Sequence, residues 1–188
     1  MSSPVSPAVR RRRWTRLDYE RVVDCGGFGP EDRIELLDGE LWEMSPQGSR
    51  HATAYSLTVD AVREAFGAGY HVRSQLPFAL DDVSEPEPDI AVVPGSPRNY
   101  RDGHPIAALL IVEVSQSTLS HDRGRKMAAY ARNGIAEYWI LDLTVEKVEV
   151  YREPCGKSYR SKTIRGRGES IEPLHAAGAT IAVDDLLP

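Results

Sequence analysis

The sequence predicts a mixed β-sheet flanked by helices, an α/β (α+β) fold, and three observations carry that prediction. Two strand-length apolar runs, Ile90 to Val93 and Ile106 to Val114, are bounded by Pro and Gly and read as strands near the centre of a sheet. Arg33–Leu37 and Glu40–Met44 flank Asp38-Gly39, the strongest short hairpin signal in the chain. Helical periodicity over residues 51–66, and again after Ser117, places helices between the strands rather than apart from them. The predicted order is helix, hairpin, helix, three strands, helix, strands.

Residues 1–13 combine Ser, Pro and Arg without periodicity and are predicted to be a disordered basic arm. The remaining chain, 14–188, fits one domain, because 188 residues with 41% hydrophobic and 27% charged content can bury a proper core without splitting. A helix begins at Thr15, the predicted N-cap, with Asp18 three residues on, Leu17, Val22 and Val23 on its apolar side, and Gly26-Gly27 ending it. A second helix, His51 to Phe66, carries Ala54, Leu57, Ala61, Val62, Ala65 and Phe66 as its stripe and stops at Gly67. A strand follows from His71 to Leu80, then a turn at Asp81 and Asp82, then the two apolar strands joined by the Gly95–Pro105 loop. Ser117 to Asp122 leads into a helix ending at Asn133-Gly134, where glycine supplies a left-handed cap. Strands are predicted at Glu137–Asp142, Lys147–Glu153, Ser158–Arg165 and residues 179–183.

The net charge of −5 at pH 7 does not advertise a nucleic-acid partner, so any such contact rests on local basic patches. Two exist, Arg10 to Arg13 with Arg16, and Arg160, Lys162, Arg165 and Arg167; each reads more simply as a solvated tail or strand face than as a binding site. Cys25 and Cys155 stand alone and the five histidines are not closely paired, which excludes a disulfide framework or zinc-thiolate site and suits a reducing, cytoplasmic compartment. No apolar run is long enough to anchor the chain in a membrane.

The informative residues are carboxylates in the wrong place for a structural strand. Glu113 interrupts the second apolar run, and a buried carboxylate needs a cation, a metal or several donors beside it. Strand alternation puts Ile111, Glu113 and Ser115 on one face, and likewise Glu87, Asp89 and Ala91. If these strands pair, Asp89 and Glu113 can face each other and share a divalent cation through oxygen ligands, which is the ligand chemistry of Mg²⁺. Glu35 in the hairpin reads either as an exposed residue or as a third carboxylate of the same site. His51, in the first turn of its helix, reads most simply as a surface or capping residue.

Pro88-Asp89, Glu113-Val114-Ser115 and Lys126 on the following helix resemble the PD-(D/E)xK restriction-endonuclease-like superfamily. Together with Ile34-Glu35-Leu36-Leu37-Asp38-Gly39-Glu40-Leu41, the Asp122, Lys126, Tyr130 series and Glu137-Tyr138-Trp139, they resemble more closely the Uma-type "putative restriction endonucleases". The resemblance runs from about Trp14 to the C-terminus. It implies a restriction-endonuclease-like central mixed sheet with an N-terminal helix and hairpin. It further implies Mg²⁺ (or Mn²⁺) held by Asp89, Glu113, the Val114 carbonyl and Glu35, and DNA as substrate. Catalysis would then fall to Asp89, Glu113, Lys126, Glu35, Ser115 and Tyr130, with Arg123, Arg125 and His51 meeting the nucleic acid, in a homodimer or higher homo-oligomer that presents two sites to a duplex.

The chain departs from the parent pattern at Ser115, where that pattern has Lys, so the ammonium would come from Lys126. On a regular helix Asp122, Lys126 and Tyr130 form one stripe, while Gly124, Ala128 and Ala131 form a small-residue edge opposite it; packing that edge on the sheet would turn Lys126 to solvent. Three readings therefore stand: a metal-dependent nuclease, a nuclease-fold protein that binds nucleic acid without cutting it, and an interaction domain that binds neither.

Overall fold

The computed structural model describes residues 12–29 and 32–188; positions 1–11 of the expected N-terminal arm fall outside them. Helix α1 (Arg16–Asp24) is capped by Thr15, whose hydroxyl accepts from the Asp18 amide. It is followed by a hairpin of β1 (Ile34–Leu37) and β2 (Glu40–Glu43). Asp38 and Gly39 take φ of 55° and 73°, the left-handed pair that a two-residue turn between twisted strands requires. Helix α2 is Ser49–Phe66. The central sheet contains β3 (Tyr70–Ser74), β4 (Ile90–Pro94), β5 (Leu110–Ser115), β6 (Glu137–Asp142), β7 (Lys147–Cys155) and β8 (Ser158–Gly166), in that spatial order. Only β5 and β6 are parallel. Parallel neighbours need a long crossover, and theirs carries α3 (Leu119–His121), a π-turn (Asp122–Lys126) and α4 (Met127–Arg132). A small pair, β9 (Ser170–Ile171) and β10 (Ile181–Ala182), closes the chain.

The sheet is covered on both faces, which is why its central strands read as apolar runs broken only by functional candidates such as Glu113. One face, with Val92, Val112, Val114, Trp139 and Leu141, packs on α2 and the C-terminal segment through Val59, Val62, Leu186 and Leu187. The other, with Ala91, Ile111, Tyr138 and Ile140, packs under Met127, Tyr130, Leu37 and Phe78. Glu113 belongs to this second face, so its carboxylate is enclosed between the sheet and the crossover helix.

Several boundaries differ from the sequence expectation. β3 ends at Ser74 rather than Leu80, because Gln75 turns the chain with φ of 49°. β5 begins at Leu110, and Ile106, 74% exposed, belongs to the preceding loop. Leu17 of α1 is 55% exposed; the helix docks instead through buried Tyr19, whose hydroxyl donates to the Ile34 carbonyl at 2.6 Å. On α2, Leu57 is left at the surface while Thr58 and Val59 are buried. The last strand shrinks to Ile181–Ala182 before a 3₁₀ turn. Among the described residues no helix is long and apolar enough to cross a membrane.

Two buried carboxylates away from the cavity hold the frame. Glu137 accepts from Trp139 Nε1 at 3.0 Å, from Arg152 at 2.9 and 2.6 Å, and from the Leu174 amide at 2.7 Å, tying β6 and β7 to the C-terminal segment. Glu149 on β7 accepts from Arg123 at 2.9 and 2.8 Å, Lys162 at 2.8 Å and Tyr151 at 2.6 Å. Burial alone would raise the Glu149 carboxyl, but these donors outweigh it and hold it down at about 2 against an ordinary 4.5. A depressed carboxylate contributes stability that is complete above its unfolded value and is lost as pH falls through the folded one. Urea unfolding should therefore show wild type losing its advantage over Glu149→Gln as pH drops from 4.5 towards 2. An advantage unchanged across that window would contradict the assignment.

Candidate active site

The antiparallel register of β4 and β5, Ile90 opposite Val112, brings Asp89 beside Glu113. The Asp89 amide points to Glu113 Oε2 at 3.4 Å, and the Val114 amide donates to Asp89 Oδ2 at 2.8 Å. Gln75, at the bend that ends β3, donates from Nε2 to Asp89 Oδ1 at 3.1 Å. His51 Nε2, from the first turn of α2, lies 3.4 Å from Asp89 Oδ2. The hairpin supplies Glu35, buried to 1% exposure, which accepts from the Glu87 amide at 3.2 Å.

The crossover completes the cluster. In the π-turn the Met127 amide reaches back five residues to the Asp122 carbonyl, which also accepts from Tyr138 Oη at 3.1 Å. Single π-turns widen a helix locally and recur at functional sites. Here Asp122, Lys126 and Tyr130 all turn inward and are buried. Lys126, 1% exposed, places Nζ 3.1 Å from Glu113 Oε1 and 3.2 Å from Glu35 Oε2. Tyr130 Oη donates to Glu113 Oε1 at 2.8 Å. Ser115 Oγ lies 3.4 Å from Thr118 Oγ1, which donates to Asp122 Oδ2 at 2.7 Å. A cavity of about 80 Å³ opens onto Asp89, Glu113, Val114, His51, Glu87 and Lys126.

The electrostatics are those of crowded carboxylates around one ammonium. Burial, with the charges of Asp89, Asp122 and Glu35, pushes Glu113 up to about 8 against the pull of Lys126. Burial also raises Asp122. Glu35 and Asp89 go the other way: burial opposes them, but Lys126 and His121 lower Glu35, while His51 and the Val114 amide lower Asp89. Burial would strip the proton from Lys126, yet Glu113, Glu35, Asp122 and Asp89 together hold it well above the ordinary lysine value. The small-residue edge does not exclude Lys126 from the interior: Gly124 is exposed, and α4 buries both Tyr130 and Ala131.

Four buried carboxylates facing one lysine leave negative charge that a divalent cation would answer. Among the described residues no group of three or more His, Cys, Asp or Glu side chains is placed to hold a metal ion, so any cation here would rest on fewer side chains. The cavity lining carries the carboxylates of Glu87, Asp89, Glu113 and Asp122 beside Val114, and oxygen ligands suit Mg²⁺, an ion commonly held by one or two carboxylates with water completing its shell.

The arginines expected at nucleic acid are placed differently from each other. Arg123 spans Glu149 and Asp142, at 3.1 Å from the latter, and faces β6 and β7. Arg125 pairs with Glu40 at 3.0 Å and lies 4.6 Å over the Trp42 ring, beside a depression shared with Ser117 and Thr118 of the cavity rim. Two contributors escaped sequence reasoning. Gln75 carried no signal inside a predicted strand, and His121, whose Nε2 lies 3.6 Å from Glu35 Oε1, was one of five scattered histidines.

A crystal structure of a putative nuclease belonging to DUF820 from Anabaena variabilis ATCC 29413 is similar, with a TM-score of 0.67 and 17% identity over 83% of this chain and 90% of that one. At that identity the likeness shows the fold, a nuclease-like mixed sheet. No curated protein matches the chain in sequence. The Uma2 family model, described as "Putative restriction endonuclease", matches residues 17–184. With the match covering nearly the whole chain, from α1 to the last turn, the protein belongs to the Uma2 family.

Proposed function

We propose that the protein is a Mg²⁺- or Mn²⁺-dependent endonuclease that hydrolyses phosphodiester bonds of DNA. The observation that carries this reading is Lys126, a fully buried ammonium gripped between Glu113 and Glu35 beside Asp89. Asp89, Glu113 and the Val114 carbonyl would hold the cation, with Glu35 as the neighbouring third carboxylate. When bound, such a cation neutralises charge on the phosphate and eases deprotonation of water.

The chain's own groups do the rest. Lys126 brings a fixed positive charge to where negative charge grows on the phosphate oxygens, and it can orient the attacking water by a hydrogen bond. Tyr130 fixes the Glu113 carboxylate by its 2.8 Å bond, and His51 and Gln75 fix Asp89. The Ser115 hydroxyl, with Thr118, assists in positioning water but carries no charge. Arg125, at the rim, would meet a backbone phosphate, and Arg123 would hold the π-turn against β6 and β7.

The binding-only reading draws on two observations, that Lys126 is already paired with two carboxylates and that Ser115 occupies the parent lysine position. A supercoiled plasmid incubated with Mg²⁺, with Mn²⁺ and with EDTA separates the readings. Nicking or linearisation with either metal and none in EDTA is expected; salt-sensitive DNA binding without cleavage under any condition would overturn the enzyme assignment.

Cutting both strands with a single-site domain of this size calls for two copies, and two-fold pairing is the commonest arrangement. Light scattering at micromolar concentration should give twice the chain mass of 20.8 kDa. A monomeric mass would remove the dimer.

A further inference from the structure

Arg73 on β3 is a buried cation without an anion. It is 7% exposed, and its Nε has no hydrogen-bond partner. Its Nη2 donates to the Pro77 carbonyl at 3.1 Å and to His104 Nδ1 at 3.4 Å, and its guanidinium carbon lies 5.7 Å from the centre of the Tyr100 ring. Among the described residues no carboxylate reaches ion-pair distance of it. Arginine is almost never this buried unless paired, and leaving a desolvated charge uncompensated is costly. Burial accordingly lowers the Arg73 pKa.

The groups it bonds, a carbonyl and an imidazole nitrogen, are uncharged acceptors. An arginine can only donate, so His104 Nδ1 accepts and the ring keeps its proton on Nε2. His71 lies against Tyr100, ring centres 6.4 Å apart, and both Arg73 and Arg63 act on it electrostatically. The carboxylate that acts on His104, Glu20, is itself bound to Arg16.

We propose that Arg73 and His104, beneath the Tyr100 ring, form a phosphate-binding subsite next to the catalytic cavity. The β3–β4 register sets Arg73 opposite Ala91, and the Gln75 amide bonds the Asp89 carbonyl. Arg73 therefore stands two residues, about 7 Å of strand, from the level of Asp89 and on the same face of the sheet. DNA charges repeat about every 3.4 Å of axis per strand, so an occupant here would be a backbone phosphate one or two steps from the bond to be cut. That source rests on the nuclease reading; the phosphate chemistry of the subsite does not.

The test follows the ring proton NMR signals of His71 and His104 during titration with inorganic phosphate, and DNA binding by fluorescence anisotropy in EDTA across a salt series. Wild type should show saturable shifts of the His104 signals with phosphate, absent in Arg73→Gln. Because His104 is exposed, His104→Ala should keep the fold, weaken the phosphate-induced shifts of His71 and show a smaller melting-temperature gain on phosphate than wild type. A subsite filled by DNA predicts that the salt slope of binding falls by about one in Arg73→Gln. Phosphate shifts with an unchanged slope assign the subsite to free phosphate, and the nuclease reading is then judged separately by plasmid cleavage. No shift in wild type, or shifts in Arg73→Gln as large as those in wild type, would overturn the proposal.

Discussion

Lys126→Ala should lower single-turnover cleavage by at least ~10²-fold, the scale of losing one oriented charge-stabilising group. Lys126 Nζ sits 3.1 and 3.2 Å from Glu113 and Glu35, so its charge is aimed before substrate arrives and needs no reorganisation during reaction. An interaction that strengthens as the phosphate gains charge lowers the barrier rather than merely tightening binding. Lys126→Arg should recover only part of the rate, because a planar guanidinium is larger and does not fit a point between two carboxylates. DNA affinity in EDTA should fall much less than the rate. A variant Lys126→Ala that cleaved like wild type would remove Lys126 from the chemistry and shift attention to His51 or to the arginines beside it.

The second large effect is on stability. Glu137→Ala should cost about 3 kcal/mol, the lower end of the range for breaking a buried ion pair. The lower end applies because Arg152 still reaches solvent. The loss also strands the indole N–H of Trp139 and the amide of Leu174. For a domain of this size that corresponds to a fall in melting temperature of about 10 °C. Divalent binding should survive at temperatures where the variant is folded, since Glu137 does not line the cavity. A melting temperature within about 2 °C of wild type would show that the network contributes little.

These two residues mark what a single sequence can disclose. The pairing of Asp89 with Glu113 was legible because two apolar runs bounded by prolines imply adjacent strands, and period-two alternation then fixes which side chains share a face. The hairpin was legible from Asp38-Gly39 alone. Lys126 was not, because a regular helix wheel gives two opposite answers. The structure turns it inward through a π-turn that no residue pattern announced, with Tyr138 bonding the Asp122 carbonyl. Glu35 remained ambiguous because its strand has four residues, too few for periodicity to separate a buried face from a wet one, and its partner Lys126 is distant in sequence. Gln75 was hidden inside an overlong predicted strand, since a left-handed backbone at a glutamine leaves no compositional trace. Arg73 carried no signal inside the same predicted strand, and only its missing counter-ion distinguishes it.

Asp89 and Glu113 are expected to hold one divalent cation. This is tested most directly by titrating Mg²⁺ and Mn²⁺ into wild type and Asp89→Asn by calorimetry. Asp89→Asn keeps the shape of the side chain and one oxygen but removes the charge. Wild type should bind one ion per chain, and the variant at least about tenfold more weakly; equal affinity in the two proteins would contradict the site.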